Sequence, residues 1–385
     1  MMQIKLLYVT EQAALGGEQY HILTFLRLLN QERFDLAVAC APQGPFVDAV
    51  KALGVSHIPI EMRSKYDLRA IRHLVRVFRE GDYHIVHFHG ARAGLLGRIA
   101  AHLTRVPIVV WTLHVFQLDV LQGWRQVQKP LYIAVEKLLA HFTDLIITET
   151  DTHRRKLIEE EGINPDKIVR IYASINVKEF EGPFSTEEKR QELGLAGVDA
   201  VVGTIAQLSP QKGITYFLQA IPMIRQAVPG TRFLIVGDGP LRSSLEIQAR
   251  ELDIAPHVTF TGYRQDAHEI MRCLDVFVLP TLWESFGLVF AEAMAARVPI
   301  VVSHVEPIPE VLNGYEAALL VPPREPEALA QAVVQMLQQR EHYPALAEGG
   351  PALVRKYAWE NMVQDTAREY ENLIAHKLPA LAWRD

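Results

Sequence analysis

Short apolar runs alternate with amphipathic stretches along the whole chain. In the first half, "IKLLYVT", "FDLAVAC", "HIVHFHG", "VPIVVWT" and "DLIITE" are near-continuous in hydrophobicity and rich in Val, Ile and Leu. A strand that is apolar on both faces belongs in a sheet covered on both sides, which is the habit of parallel sheets. Between these runs, residues 18–30, 45–54, 67–80, 91–103 and 127–141 carry apolar positions at helical spacing. The pattern restarts at "VVGTIAQL" and continues through "RFLIVGDG", "HVTFTG", "DVFVLP", "PIVVS" and "ALLVPP". Strand–helix alternation run through twice predicts an α/β chain of two Rossmann-like, doubly wound domains facing each other across a cleft. Residues 1–175 form the first and 200–358 the second. The polar segment 176–199, which opens "NVKEFEGPFSTEEKR", is the expected linker. A final amphipathic stretch, 359–377, fits either domain by pattern; with its tail to 385 it is expected to pack back on the first.

The length of 385 residues agrees with this division, since domains average about 150 residues. A net charge of −6 argues against a protein that coats nucleic acid. The two cysteines, Cys40 and Cys273, lie in or beside apolar segments and make neither a disulfide framework nor a zinc spacing. The opening "MMQIKLLYVT" lacks the basic and apolar regions of a signal peptide. No apolar run approaches the roughly 20 residues that cross a bilayer. The expected compartment is the cytoplasm.

Candidate chemistry concentrates in "LWESFGLVFAEAMAARVPIVVS", residues 282–303. A helix is expected to start near Phe286–Gly287, leaving the amides of Phe286, Gly287 and Leu288 in its first turn to bind an anion. Glu284 precedes that turn and Glu292 follows it, with Ser285 between Glu284 and the helix start. Carboxylates beside a bound anion would repel it, but they can accept hydrogen bonds from neutral hydroxyls on either side. A nucleotide-sugar has that layout. The plainer alternative is that Glu284 caps the helix and Glu292 is an exposed helical acid. "VVGTIAQLSPQKG" adds a strand and a loop ending in Lys212–Gly213, where an ammonium could neutralise a diphosphate.

With these motifs in place the chain resembles a retaining nucleotide-sugar glycosyltransferase of the GT-B type, family 4 (group 1). The marks are the E-x7-E pair Glu284 and Glu292 inside "PTLWESFGLVFAEAMA", the preceding K-G and "FLIVGDGP", and the following "VPIVVSHVEPIPEVL" and "AALLVPP". The resemblance spans nearly all of the chain. It implies Glu284 beside the donor sugar, Glu292 on the ribose and Lys212 on the diphosphate. It also implies a base read by main chain near Tyr263 and Arg264, the turn Gly16–Gly17 lining the cleft, and His114 against the donor sugar near the anomeric centre. His87 and His89 are weaker candidates, more simply explained by packing or a hydrogen bond to main chain. No metal and no cofactor are expected beyond the nucleotide-sugar co-substrate. Three departures stand out: Gln207 replaces a usual arginine, "YASINVKEF" keeps Asn176 and Phe180 but not the usual Asn-Gly turn, and Arg297 stands where relatives usually have glycine.

The acceptor, a glycan or lipid-linked one, is expected on the first domain. Arg69, Arg72, Arg76 and Arg79 share one helical face, opposite Leu68, Ile71, Val75 and Phe78. Such a face is either solvated or a contact for an anionic membrane surface. Residues 115–126, with Val115, Phe116, Leu118, Val120, Leu121 and Trp124, are a candidate acceptor loop. The rival readings fit less well. A glycoside hydrolase also uses two carboxylates but needs them across a groove. A dehydrogenase would carry G-x-G-x-x-G after a first strand. A nucleotide-sugar epimerase shares the architecture, and a sugar-binding protein usually carries an export signal.

Overall fold

The computed structural model describes residues 3–120 and 123–382. By contact density the chain divides into two units, residues 1–174 with 359–385, and residues 175–358.

The first unit is built on seven strands: β1 (Ile4–Val9), β2 (Phe34–Cys40), β3 (Ser56–Pro59), β4 (Ile85–His89), β5 (Ile108–Leu113), β6 (Leu145–Thr148) and β7 (Ile168–Arg170). They lie in the order β3-β2-β1-β4-β5-β6-β7 and pair in parallel throughout. β1 illustrates why its sequence reads as a near-continuous apolar run. Ile4, Leu6 and Tyr8 enter one core, while Leu7 and Val9 enter the other. The first of these cores is completed by Met362, Val363, Tyr370 and Ile374 from the helix Trp359–Lys377.

The second unit repeats the design with β8 (Ala200–Ile205), β9 (Thr231–Val236), β10 (Val258–Gly262), β11 (Val276–Leu279), β12 (Ile300–Ser303) and β13 (Ala318–Val321). Their order is β10-β9-β8-β11-β12-β13, again all parallel. In both sheets the strand order reverses beside the first strand, between β1 and β4 and between β8 and β11. A switch point of this kind carries a crevice at the carboxyl ends of the strands.

Two features differ from the sequence expectation. The segment 176–199, expected as a linker, is ordered against the second unit. It carries the helix Thr186–Glu192, capped by Ser185, and Arg190 donates to the Cys273 carbonyl at 2.7 Å and pairs with Asp275 at 2.8 Å. This helix reads as polar because ion pairs rather than an apolar stripe dock it. On the basic helix Leu68–Gly81 the buried face is Ala70, Leu74, Val77 and Phe78, while Leu68, expected inside, is 65% exposed at the first turn.

Candidate functional site

In the second unit, the loops after β8 and β11 meet at the switch point. The turn Pro210–Lys212 ends at Gly213, which has φ +62°. A Cβ there would sit 2.0 Å from the Pro280 carbonyl oxygen, so only glycine permits this approach of the two loops. Hydrogen bonds staple them together. Leu282 N donates to Gln211 O at 2.8 Å, and Gln211 Nε2 donates to Trp283 O at 2.9 Å. The result places Lys212 Nζ 2.6 Å from Glu284 Oε1. The carboxylate is buried and the lysine nearly so, with side-chain exposures of 3% and 18%. Glu284 is therefore no exposed cap; it is half of an ion pair.

Gly287 follows at φ +81°, and the helix Leu288–Ala295 starts with no side-chain cap bond. This is one to two residues later than expected: Phe286 is turned into the core and stacks edge-on against Tyr357 at 5.1 Å. The first-turn amides are those of Leu288 and Val289, with Ser285 half-buried before them. Glu292 is half-buried on the same helix, and burial, then the charge of Glu179, push its carboxyl up to about 7. Arg297 has φ +59°, a left-handed position that glycine adopts without steric cost.

The other expected residues of this unit are less engaged. Gln207 is exposed after β8. Tyr263 is 64% exposed just past β10. The Arg264 guanidinium is committed to Asp266 and Glu192, at 2.6 and 2.7 Å.

In the first unit, the helix Gly17–Leu28 starts at Gly16, again with no side-chain cap. Gly16 has an extended backbone, φ −158°, so the turn itself does not demand glycine. His114 follows β5 and is 9% exposed. Both of its ring nitrogens are occupied, Nδ1 by Glu149 Oε1 and Nε2 by His89 Nδ1, each at 2.9 Å. His87 bonds Thr112 Oγ1 at 2.7 Å and the Tyr370 hydroxyl, a structural arrangement. Sequence reading missed Glu18, His21 and Glu149. Glu149 closes the quoted run "DLIITE", where an acid ending an otherwise apolar strand was the available signal.

Of the candidate acceptor loop, Phe116 and Leu118 are buried core residues. Leu121 and the side chains of Val120 and Trp124 lie outside the described residues. Arg69, Arg72, Arg76 and Arg79 are all exposed. Among the described residues, no cluster of three or more His, Cys, Asp or Glu could hold a metal ion, and no helix is long and apolar enough to cross a membrane.

Two doubly wound parallel-sheet domains in tandem are the architecture of the GT-B class of transferases. Residues 15–179 match Glycosyltransferase Family 4, and residues 199–339 match Glycosyl transferases group 1. The chain belongs to this family and is a glycosyltransferase. It is 30% identical over 311 residues, 79% of this chain and 80% of the relative, to an Escherichia coli UDP-Gal:alpha-D-GlcNAc-diphosphoundecaprenol alpha-1,3-galactosyltransferase. It is 29% identical to the Mycobacterium tuberculosis phosphatidyl-myo-inositol mannosyltransferase, with 93% of each chain covered. The crystal structure of Anabaena HepE in complex with UDP and glucose superposes with a TM-score of 0.83 at 20% identity, covering 96% of this chain and 100% of that one.

The ion pair is testable without a substrate. Lys212→Met strands a buried carboxylate and is expected to cost about 2–3 kcal/mol in urea denaturation. Adding Glu284→Gln should recover at least about 1 kcal/mol of that loss. Strictly additive effects would mean that the two groups do not interact.

Proposed function

We propose that the protein transfers a glycosyl group from a nucleotide-diphosphate sugar to an acceptor hydroxyl, with retention of anomeric configuration and without a metal ion. The observation that carries this reading is the Lys212–Glu284 pair beside the uncapped helix start at Gly287. A diphosphate there would take the Leu288 and Val289 amides and the Lys212 ammonium. Glu284, released from lysine, would then accept from hydroxyls of the donor sugar, and Glu292 from the ribose diol. The bond from the anomeric carbon to the phosphate oxygen breaks as the bond to the acceptor oxygen forms, and the acceptor proton passes to the leaving phosphate. Negative charge grows on that phosphate, and fixed amides plus an ammonium stabilise it as preorganised electrostatics. Metal is dispensable in this scheme because those groups supply the positive charge. Gln207 adds a hydrogen bond but no charge, and Tyr263, Arg264 and the Gly16–Gly17 turn with His114 complete the proposed donor contacts.

A UDP-sugar is the first donor to test, because the similar galactosyltransferase is named for UDP-Gal and the similar HepE structure is a complex with UDP and glucose. Thermal-shift measurements with UDP-, GDP- and ADP-sugars separate the bases, since a ligand of the folded state raises the melting temperature. Glu284→Gln and Lys212→Ala should each lower turnover by roughly 100-fold or more with the fold retained. Wild-type rates in both would defeat these roles.

Glu292 gives the reading a pH signature. A carboxyl held near 7 is protonated below that pH and cannot serve as a charged acceptor for the diol. Donor affinity should therefore rise roughly tenfold between about pH 6 and about pH 8, and Glu292→Gln should flatten the rise. A flat profile in the wild type would remove the assignment.

The acceptor is proposed to be lipid-linked, in glycolipid or cell-surface polysaccharide synthesis at the inner face of a membrane. The support is the acceptor lipid in the names of the two relatives and the four exposed arginines of the helix Leu68–Gly81. Each basic residue near an anionic surface contributes about 1 kcal/mol. Changing Arg69, Arg72, Arg76 and Arg79 to Glu should abolish co-sedimentation with anionic liposomes. Undiminished binding would rule this surface out.

A further inference from the structure

The carboxyl ends of β4, β5 and β6 carry a hydrogen-bonded chain of three buried side chains, Glu149, His114 and His89. Glu149 follows β6 directly, and the next residue, Thr150, caps the helix Asp151–Glu159 by accepting from His153 N at 3.1 Å. The backbone is thus pinned on both sides of Glu149, and its carboxylate reaches back to His114. An ionised carboxylate can only accept, so Nδ1 of His114 must carry a proton. The bond between His114 Nε2 and His89 Nδ1 holds one further proton. If that proton belongs to His114, the ring is an imidazolium facing Glu149; if it belongs to His89, both rings are neutral. In either case His89 Nε2 ends the chain buried and, among the described residues, without a hydrogen-bond partner.

The surroundings decide between the two arrangements. Toward His114 face Glu18 and His21 from the helix after β1, His87 and His89 from β4, and Glu149 from beyond β6. Glu11 stands beside Glu18, and Tyr8 of β1 packs on the His87 and His89 rings, with Tyr370 bonded to His87. Burial is the largest influence on all four histidines and disfavours charge. His21, His87 and His89 are driven well below the ordinary range and stay neutral, so they do not compete. His114 alone is raised, because Glu149 by charge and hydrogen bond, and then Glu18 by charge, together outweigh its burial. His21 Nδ1 lies 3.9 Å from Glu149 Oε1, too far to hydrogen-bond.

We propose that Glu149 is a positioning residue for glycosyl transfer: it holds His114 in one orientation as a fixed imidazolium, backed by His89, at the carboxyl edge of the first unit's sheet. Because both ring nitrogens of His114 are spent inside the protein, the ring acts through its charge and not as a proton carrier. The inference rests on the transferase reading above for its kinetic part only.

The test uses the full-length protein labelled with nitrogen-15 in histidine, with the His114 signals assigned by their loss in His114→Asn. Glu149→Gln preserves shape and one acceptor oxygen but removes the charge. The titration midpoint of His114 is expected to fall by about one pH unit or more in Glu149→Gln. It should be partly restored in Glu149→Asp, which also covers the case in which the glutamine variant does not fold. Identical His114 midpoints in all proteins that fold overturn the proposal, whatever the substrate proves to be. In a transfer assay, Glu149→Gln should lower kcat by roughly 10- to 100-fold near neutral pH with little change in KM. The deficit should shrink toward pH 6 and below, where His114 regains its proton without help from the carboxylate. A deficit of the same size at every pH would mark Glu149 as structural and overturn the proposal. Glu18, whose carboxyl burial pushes up, loses charge in the same downward sweep. Variant and wild type are therefore compared at each pH. Absence of any nucleotide-sugar turnover in the wild type would defeat the transferase reading alone and leave the nuclear magnetic resonance result to stand.

Discussion

Everything chemical in this molecule depends on a constraint of parallel sheets: successive strands must be joined by crossovers, so every loop that leaves a strand's carboxyl end emerges on the same edge. The strand orders place β1 against β4 and β8 against β11, elements far apart in sequence. The loops of such neighbours share one edge of the sheet, and the crevice beside them is where ligands fit. Lys212 and Glu284 are brought together in this way across β8 and β11. Glu18 reaches over Gly90, the residue after β4, in the same manner, since a Cβ on Gly90 would lie 2.9 Å from Glu18 Oε2.

A second regularity is that three deeply buried carboxylates in this chain have a basic side chain at short range. Glu284 has Lys212 at 2.6 Å, Glu149 has His114 at 2.9 Å, and Glu136 has Arg98 at 2.7 Å. A buried charge left alone would be costly, and pairing is one of two ways to avoid that cost. The other is to give up the charge. Glu161, buried near Glu136, takes that course, with burial first and Glu136 second pushing its carboxyl up to about 8. Glu292 lies between the two cases, held near 7. The arrangement distinguishes acids held beside a basic side chain from those, Glu161 and Glu292, that burial pushes up.

Most strands legible from sequence had apolar residues on both faces, and the edge strands β10 and β13 were also read. β3, "SHIP", and β7, "IVR", were not, because edge strands are short and need no continuous apolar pattern. The helix Thr186–Glu192 escaped for a related reason, since it is docked by ion pairs from Lys189 and Arg190. In the candidate site, Glu284 and Lys212 were visible because each lies a fixed distance from a strand end and a glycine. Glu149 sat in plain view at the end of an apolar run, yet nothing local said what it would touch.

The sequence by itself determined the two-sheet design, the strand ends at which chemistry gathers and the glycines that let the loops close, because hydrophobic periodicity and backbone conformation are local properties. Only the tertiary structure decided which charges meet. The partners of Lys212 and His114 lie 72 and 35 residues away. Strand order, which no local pattern encodes, sets those distances in space. It also decided that His114 is pushed toward its charged form while His21, His87 and His89 are pushed toward neutrality, because His114 faces Glu149 and Glu18 once water has been removed.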